Sequence, residues 1–191
     1  MRFHPGNSVF AASFACLILA VITTASIEPQ EAGLARLSDT DLATLVIHFE
    51  RTACYGDCPA YKLTIYGDAR IEYEGIKNVK LVGRKQGDLA NAELTHLVSQ
   101  FNRADFFKIN QYSEKSCSCT LCTDMPTAII EIKVRGMSHR VEHYYGCRCA
   151  PKMLWDLEAT IDKIANTERW TGDVSKQGPR GTTCFNPRES Y

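Results

Sequence analysis

Alternation of apolar and polar residues marks the first half of the folded region. Apolar and polar side chains alternate over residues 45–50, over residues 60–66 and over residues 71–74. This period of two is typical of strands that bury one face. Gly67 and Asp68 separate the second run from the third and are common turn residues, so these two strands are predicted to form a hairpin.

Helical spacing appears in two later segments. In residues 91–105 and again from Pro151 to Trp170, apolar side chains recur every three or four positions. Each segment predicts an amphipathic helix with one buried stripe. Two β-rich runs, residues 127–135 and 138–145, lie between the helices and predict a second hairpin.

The order of these elements indicates the fold class. Strands joined by hairpins build antiparallel sheets, and helices with a single apolar stripe cover one face of such a sheet. The sequence therefore predicts an α+β fold, with an antiparallel sheet of about five strands, two helices packed on one face, and disulfides that staple the chain. Residues 78–82 are predicted either to continue the third strand or to add a short one before Gly83.

The N-terminal region has the composition of a secretory signal. Residues 9–22 form a nearly unbroken apolar run, which is shorter than the roughly 20 residues that a spanning helix needs. We therefore predict a signal peptide over residues 1–25, with a retained membrane anchor as the alternative. A linker over residues 26–41, a single domain over residues 42–170 and a Gly/Pro-rich tail over residues 171–191 follow. The predicted location is periplasmic or secreted, with no stable membrane span after cleavage.

Charge and motif content narrow the range of functions. The chain carries 22 basic and 22 acidic residues, so it lacks the positive field that nucleic-acid binding requires. It also lacks a phosphate-binding loop, a dinucleotide fingerprint, a nucleophile elbow and an H-E-x-x-H metal motif. We assign no cofactor and no catalytic residue, and the balance is against an enzyme.

Cysteine usage points to an oxidising compartment. Cys16 leaves with the predicted signal, so an even number of thiols remains in the mature chain, and these are predicted to form disulfides. The eight predicted disulfide residues are Cys54, Cys58, Cys117, Cys119, Cys122, Cys147, Cys149 and Cys184. The pairing hypothesis joins Cys54 to Cys58, Cys122 to Cys147, Cys119 to Cys149, and Cys117 to Cys184.

The same cysteines admit a second interpretation. The clusters Cys117–Cys122 and Cys147–Cys149, with His139 and His143 nearby in sequence, contain enough donors for tetrahedral zinc. Zinc knuckles prefer two C-x-x-C pairs, whereas this chain offers one in that region. Disulfides are therefore preferred and no metal ligand is assigned.

Two further residues are candidates for function. Asp124, in the run Thr-Asp-Met-Pro, and His143 are a carboxylate and an imidazole of the types that general acid-base catalysis uses. The alternative is that Asp124 only turns the chain ahead of Pro126 and that His143 is an ordinary strand histidine.

Five tyrosines fall on or beside the predicted strands. Those that point away from the helices would leave an open aromatic face, which is a plausible contact surface for a ligand or protein. The five are Tyr61, Tyr66, Tyr73, Tyr144 and Tyr145.

Several short motifs together carry a family resemblance. C-Y-G-D-C-P-A-Y from Cys54, then T-D-M-P from Thr123, then H-Y-Y-G-C from His143, resemble the bacterial domain-of-unknown-function family DUF6438 over residues 45–170. The resemblance implies an exported α+β domain with no assigned activity. Ala69 departs from the usual Asp-Gly turn of the family, and Cys117, Cys119, Cys149 and Cys184 are additional to its common pattern.

The preferred functional hypothesis is an exported, disulfide-stabilised binding or structural module that is not catalytic. Its partner would be an unknown protein or an envelope component, bound at the sheet face or the cysteine-rich end. The alternative is a thiol-redox or metal-handling protein that uses the two cysteine clusters. A hydrolase built on Asp124 and His143 is a third option.

Overall fold

The computed structural model of the protein describes residues 1–2, 39–175 and 177–185. The predicted signal peptide beyond residue 2, and the linker up to residue 38, lie outside the described residues. In the part of the chain that is described, no helix has the length and apolar character that crossing a membrane requires. The elements, in chain order, are α1 Asp39–Leu42, β1 Val46–Arg51, β2 Ala60–Tyr66, β3 Arg70–Lys77, β4 Gly83–Asp88, α2 Asn91–Arg103, a 3-10 turn Phe106–Lys108, β5 Leu121–Cys122, β6 Thr127–Val134, β7 Met137–Tyr144, α3 Lys152–Ala165, α4 Glu168–Thr171 and β8 Cys184–Phe185.

One antiparallel sheet organises the domain. Its strand order is β4-β3-β2-β1-β6-β7, and every neighbouring pair is antiparallel. The register places Phe49 beside Leu63 on one side and beside Ile130 on the other, so the apolar residues of three strands share a face. The α+β class, the antiparallel sheet and the disulfide stapling predicted from the sequence are confirmed.

The sheet has six strands, one more than the approximate prediction. The added strand is β4, which begins at Gly83, the residue expected to end a strand over residues 78–82. Its sequence, Gly-Arg-Lys-Gln-Gly-Asp, contains no apolar alternation, and it pairs only with β3 at the edge. An edge strand can form through backbone hydrogen bonds alone, so its side chains need not carry the usual pattern.

The core lies between one face of the sheet and the two longer helices. Helix α2 buries Leu94, Leu97, Val98 and Phe101, and helix α3 buries Leu154, Leu157 and Ile161. These side chains belong to one cluster with the inward residues of β1, β2, β3, β6 and β7. Burial of this apolar surface is the main favourable contribution to folding.

The opposite face of the sheet is mainly polar and charged, and Tyr66 lies on it. Two of the five tyrosines considered for an open aromatic face, Tyr61 and Tyr73, lie in the core instead. Tyr61 and Tyr73 are 2% and 1% exposed. Tyr61 lies two residues before Leu63 on β2, and Tyr73 lies two residues after Ile71 on β3, and all four are buried. Side chains two residues apart on a strand share a face, which places both rings in the core. The outward positions of β1, β2 and β3 instead include His48, Glu50, Lys62, Thr64, Glu72 and Glu74.

The hairpin between β2 and β3 uses alanine where the family resemblance leads one to expect glycine. Ala69 N–H donates to the carbonyl of Tyr66 at 3.0 Å, and Ala69 adopts a φ of 68°. A turn closed by a residue in the left-handed region is a common three-residue hairpin connection, usually with glycine at that position. The register of the hairpin is therefore kept despite the substitution.

The segment after α4 packs back onto the cysteine loop of residues 54–58. Arg180 N–H donates to the carbonyl of Tyr55 at 2.7 Å, and Asp57 N–H donates to the carbonyl of Gly178 at 3.2 Å. Gly56 and Pro179 form an isolated bridge, and a Cβ on Gly56 would lie 2.3 Å from the carbonyl oxygen of Gly178. The described residues of the C-terminal segment therefore form a wall of the domain.

Candidate functional site

A cleft of about 770 Å³ opens where strands β1, β2 and β6 meet the C-terminal end of α3. Its walls include Pro59, Met125, Pro126 and Pro179, and part of one side comes from the segment after α4. The floor carries charged and hydroxyl side chains, among them Arg51, Asp162 and Tyr61. An apolar cleft with a few convergent polar groups is the usual architecture of a ligand site.

The central contact of the floor joins Arg51 to Asp162. Arg51 is the last residue of β1, and Asp162 lies on α3, 111 residues later. Arg51 Nε and Nη2 donate to Asp162 Oδ2 at 2.9 and 2.7 Å, and the two side chains are 17% and 22% exposed. Partial burial strengthens this ion pair relative to one on the surface, because less solvent screens the two charges.

Two tyrosine hydroxyls complete the coordination of this ion pair. Tyr61, which is opposite Arg51 in the β1–β2 register, donates to Asp162 Oδ1 and accepts from Arg51 Nε at 3.1 Å. Arg51 Nη1 donates to the hydroxyl of Tyr145. Thr167 Oγ1 also donates to Asp162 Oδ1, at 3.0 Å. The carboxylate of Asp162 thus receives donors from three different side chains.

The network continues from the floor of the cleft into the core. Tyr145 donates to Glu158 Oε2 at 2.6 Å, and Glu158 Oε1 lies 2.7 Å from Nδ1 of His143. His143 and Glu158 are each 1% exposed, and the rings of Tyr145 and Trp155 pack against the imidazole. Nε2 of His143 has no hydrogen-bond partner among the described residues. The hydrogen-bonded chain therefore starts at Asp162 and ends at this buried imidazole.

The environment holds the tyrosines of this network in their protonated form. Burial, with a further contribution from the charge of Asp162, raises the pKa of Tyr61 well above its ordinary value. Burial also raises the pKa of Tyr145. The charge of Glu158 raises this pKa further, whereas the charge of Arg51 lowers it. Burial disfavours the charged guanidinium of Arg51, but Asp162 and the two hydroxyls outweigh that effect and raise its pKa. At neutral pH both hydroxyls are donors and Arg51 is a cation.

Arg51 keeps donor capacity for a further group. A guanidinium has five N–H groups, and the contacts of Arg51 with described residues use Nε–H, one N–H of Nη1 and one of Nη2. One N–H on each terminal nitrogen is left without a partner in this part of the chain. Because Arg51 lines the cleft, a bound molecule can accept from these groups.

The two residues singled out as acid-base candidates have separate roles in the structure. Asp124 has a φ of 64° and accepts a hydrogen bond from Thr123 Oγ1 at 2.7 Å, which is the local turn arrangement described as the alternative. His143 pairs with Glu158 in the core. Within the described residues no hydrogen bond joins Asp124 to His143.

Sequence reasoning missed most of the cleft residues, although two signals were present. Arg51 follows Ile47 and Phe49 at every second position of β1, so its side chain is expected on the same buried face of the sheet. Glu158 lies between Leu157 and Ile161 on the buried stripe of α3. A charged residue at an inward position must be paired, and its presence is a sequence signal for a buried polar network.

The cysteines form four disulfides, two of which differ from the pairing hypothesis. The structure joins Cys54 to Cys58, Cys117 to Cys147, Cys119 to Cys149, and Cys122 to Cys184. The hypothesised pairs Cys122–Cys147 and Cys117–Cys184 are wrong. Strand β5 pairs with β8 and places Cys122 directly opposite Cys184, so Cys147 is left to pair with Cys117.

Two of these disulfides lie side by side. The sulfur atoms of Cys117, Cys119, Cys147 and Cys149 all lie within 4.8 Å of one another. Between the two disulfides, Cys117 Sγ lies 3.7 Å from Cys119 Sγ, and Cys119 Sγ lies 4.0 Å from Cys147 Sγ. Cys147 Sγ lies 3.8 Å from Cys149 Sγ. We refer to these four residues as the four-cysteine cluster.

A protein-family model matches most of the domain. Residues 45–165 match the model of DUF6438, a domain of unknown function. No curated protein matches the chain. The matched range contains Arg51, Tyr61, Tyr145, Glu158 and Asp162, whereas the wall of the cleft after α4 lies beyond it.

Proposed function

The chain belongs to the DUF6438 family, and from that premise we propose that it is an exported, disulfide-stabilised binding domain whose ligand occupies the cleft above Arg51 and Asp162. The observation that carries the proposal is the partly exposed ion pair at the base of an apolar cleft, with unused N–H groups on Arg51. A charged pair that is partly desolvated and still has donors to offer is a recognition element rather than a packing element.

The size of the cleft supports a ligand of moderate dimensions. Its volume of about 770 Å³ falls within the usual range for ligand pockets. Proline and methionine side chains on the walls offer apolar contact, and methionine adapts to different shapes because its side chain is flexible. A short stretch of polypeptide fits these dimensions and this mixture of surfaces.

The charge of the floor favours an uncharged ligand. Arg51 and Asp162 offset each other, so a charged group brought between them would be desolvated without a full counter-charge. A peptide carbonyl, in contrast, can accept from the free N–H groups of Arg51 without upsetting this balance. We therefore propose an internal, uncharged segment of a partner polypeptide as the ligand.

The electrostatics of the floor support binding rather than turnover. The hydroxyls of Tyr61 and Tyr145 have raised pKa values, so neither supplies a phenolate nucleophile or base near neutral pH. Asp162 accepts from Arg51, Tyr61 and Thr167, which occupies the lone pairs that a general base would use.

Export is the second part of the proposal. Four disulfides in a domain of this size are consistent with an oxidising compartment. The apolar run over residues 9–22 has the length of a signal-peptide core, and its removal leaves an even number of cysteines. Both features support a periplasmic or secreted location.

The cleft proposal is tested with a panel of short peptides. The probes are tripeptides with acetylated N-termini and amidated C-termini, added to the isotope-labelled mature protein while amide chemical shifts are recorded. We expect apolar and proline-containing members to shift the amides of Tyr61, Met125 and Thr127, and the same peptides with free, charged termini to bind more weakly.

Two matched variants locate the binding. Val174→Trp fills the cleft from its C-terminal wall, whereas Val82→Trp adds the same ring at a position that is 66% exposed and does not line the cleft. Val174→Trp should abolish the shifts and Val82→Trp should retain them. If no capped peptide binds, or if Val174→Trp binds as well as the parent protein, the cleft proposal is rejected.

A further inference from the structure

We propose that the four-cysteine cluster has a second state, in which Cys117, Cys119, Cys147 and Cys149 are reduced and together bind one zinc ion. The inference does not rest on the cleft or its ligand. It rests on the convergence of four sulfur atoms from two separate loops at one point. In the oxidised protein these sulfurs form two neighbouring disulfides.

The spacing between the two disulfides matches that of thiolates around zinc. Zinc binds cysteine sulfur at about 2.3 Å in tetrahedral geometry, so neighbouring sulfurs lie ~3.8 Å apart. The three distances across the cluster are 3.7, 4.0 and 3.8 Å. The fourth distance, from Cys117 Sγ to Cys149 Sγ, is at most 4.8 Å. The main change needed to form the tetrahedron is that each bonded pair opens, from about 2.05 Å to ~3.8 Å.

Backbone contacts hold the two loops together independently of the two disulfides. Cys122 N–H donates to the carbonyl of Gly146 at 2.9 Å, and Arg148 N–H donates to the carbonyl of Thr120 at 3.1 Å. Leu121 and Cys147 also form an isolated bridge. Reduction therefore leaves the four thiols close together, which lowers the entropic cost of assembling a metal site.

One of the two disulfides is open to reductants. Cys149 is exposed and Cys119 is half-buried, whereas Cys147 is 0% exposed. A thiolate must reach the sulfur that it attacks, so the Cys119–Cys149 bond is reduced first. The freed Cys119 sulfur lies 4.0 Å from Cys147 Sγ and can pass the reduction to the Cys117–Cys147 bond by thiol-disulfide exchange.

The proposed transition consumes two molecules of a dithiol reductant and one zinc ion per chain. Two molecules of a dithiol reductant each give two electrons and two protons and become disulfides, while the two protein disulfides become four thiols. Zinc then replaces the four thiol protons, because the thiolate is the ligand form. Four thiolates with no oxygen or nitrogen donor suit zinc rather than calcium or magnesium.

The test compares metal binding before and after mild reduction. The oxidised mature protein and the protein reduced with a phosphine, which carries no competing thiol, are each mixed with zinc and examined by native mass spectrometry. We expect no zinc on the oxidised chain and one zinc on the reduced chain. Cobalt in place of zinc should give the charge-transfer and intense visible bands of a tetrahedral sulfur site.

Alkylation of the zinc-loaded protein identifies the ligands without any substitution. We expect Cys117, Cys119, Cys147 and Cys149 to react with iodoacetamide roughly tenfold more slowly than the same residues after a chelator removes the metal, since coordinated thiolates are poor nucleophiles. Cys54 and Cys58 should react equally in both samples. Protection of a different set of cysteines would overturn the proposal.

Two matched double variants distinguish the four-cysteine cluster from the Cys54–Cys58 pair. Cys119→Ser with Cys149→Ser should lose the cobalt bands, and Cys54→Ser with Cys58→Ser, which also removes one disulfide, should retain them. Absence of zinc from the reduced parent protein overturns the inference, as does equal zinc binding by the two variants. Circular dichroism of each sample checks that the fold is retained. If a variant does not fold, the alkylation of the parent chain still shows which cysteines bind zinc.

Discussion

Glu158 connects the buried imidazole of His143 to the hydroxyl of Tyr145, with one carboxylate oxygen for each partner. The distances are 2.7 Å from Oε1 to His143 Nδ1 and 2.6 Å from Oε2 to the Tyr145 hydroxyl. Because Tyr145 also accepts from Arg51, this single carboxylate links the core to the floor of the cleft. The position of the cleft residues thus depends on a group that no ligand would touch.

Replacement of Glu158 should be costly. Glu158→Ala leaves two buried polar groups without their partner, and we expect a loss of about 3 kcal/mol in the free energy of unfolding. Glu158→Gln can still bond one of them and should lose about 1 to 2 kcal/mol. The control is Glu114→Gln at an exposed position, with a change of about 0.5 kcal/mol or less. Urea unfolding measures all three, and equal losses at the two positions would contradict the network.

The Arg51–Asp162 pair should show measurable coupling. Asp162→Asn leaves the guanidinium partly buried without its counter-ion, so we expect a loss of about 2 kcal/mol, and Arg51→Met with Asp162→Leu should recover part of it. The coupling energy is obtained from a double-mutant cycle, in which each residue is replaced alone and both are replaced together. The control is the same cycle for Lys152 and Asp156, whose side chains are 85% and 59% exposed. That cycle should give a coupling energy below about 0.5 kcal/mol. Similar values for the two cycles would show that partial burial does not strengthen the first pair.

Tyr73 and Tyr61 should respond in opposite directions to replacement by phenylalanine. The hydroxyl of Tyr73 is buried with no hydrogen-bond partner among the described residues, so Tyr73→Phe should stabilise the protein by about 1 kcal/mol. The hydroxyl of Tyr61 bonds Asp162 and Arg51, so Tyr61→Phe should destabilise it by about 1 to 2 kcal/mol. Thermal and urea unfolding decide the sign of each change.

Tyr73 also predicts a loss of stability at alkaline pH. Burial raises the pKa of Tyr73 to about 12, whereas an unfolded tyrosine titrates near 10. The folded state therefore binds more protons than the unfolded state between those two values, and its stability should fall as pH rises through this window. Below pH 10 the contribution of Tyr73 to stability should not change with pH. Urea unfolding of the parent protein and of Tyr73→Phe from pH 8 to pH 12 checks this, and an unchanged slope in the variant would contradict it.

The Cys122–Cys184 disulfide should contribute more stability than Cys54–Cys58. The first closes a separation of 62 residues and the second a separation of 4, and restriction of the unfolded chain grows with loop length. Serine substitution of both members of each pair should cost about 4 and about 2 kcal/mol, respectively. Loss of Cys122–Cys184 should also expose the segment around Gly178 to proteolysis. Limited digestion with mass detection measures this second effect.

Intact mass of the protein from an exporting host tests the proposed maturation. We expect a chain that begins near residue 26 and is lighter than its reduced form by the mass of eight hydrogen atoms, as four disulfides require. Retention of residues 1–25 would favour a membrane anchor over a cleaved signal.

The local pattern was enough to predict the elements because each depends on neighbouring residues. Alternation around Leu63 and helical spacing around Leu157 each identified an element that the structure contains. Strand β4 has no sequence signal, because an edge strand with polar side chains shows no hydrophobic pattern. Tyr61 and Tyr73 belong to the core because they lie two residues from Leu63 and Ile71 on the same face of their strands.

By itself, the sequence determined the α+β class, the antiparallel hairpins and the number of cysteines available for disulfides, since these follow from periodicity and composition. Only the tertiary structure decided which sulfur meets which, because the pairing of β5 with β8 sets Cys122 opposite Cys184. It also decided the cleft, where Arg51 and Asp162 meet across 111 residues of chain. Contacts at that separation depend on how the sheet and α3 pack together, and no local pattern in the sequence specifies that packing.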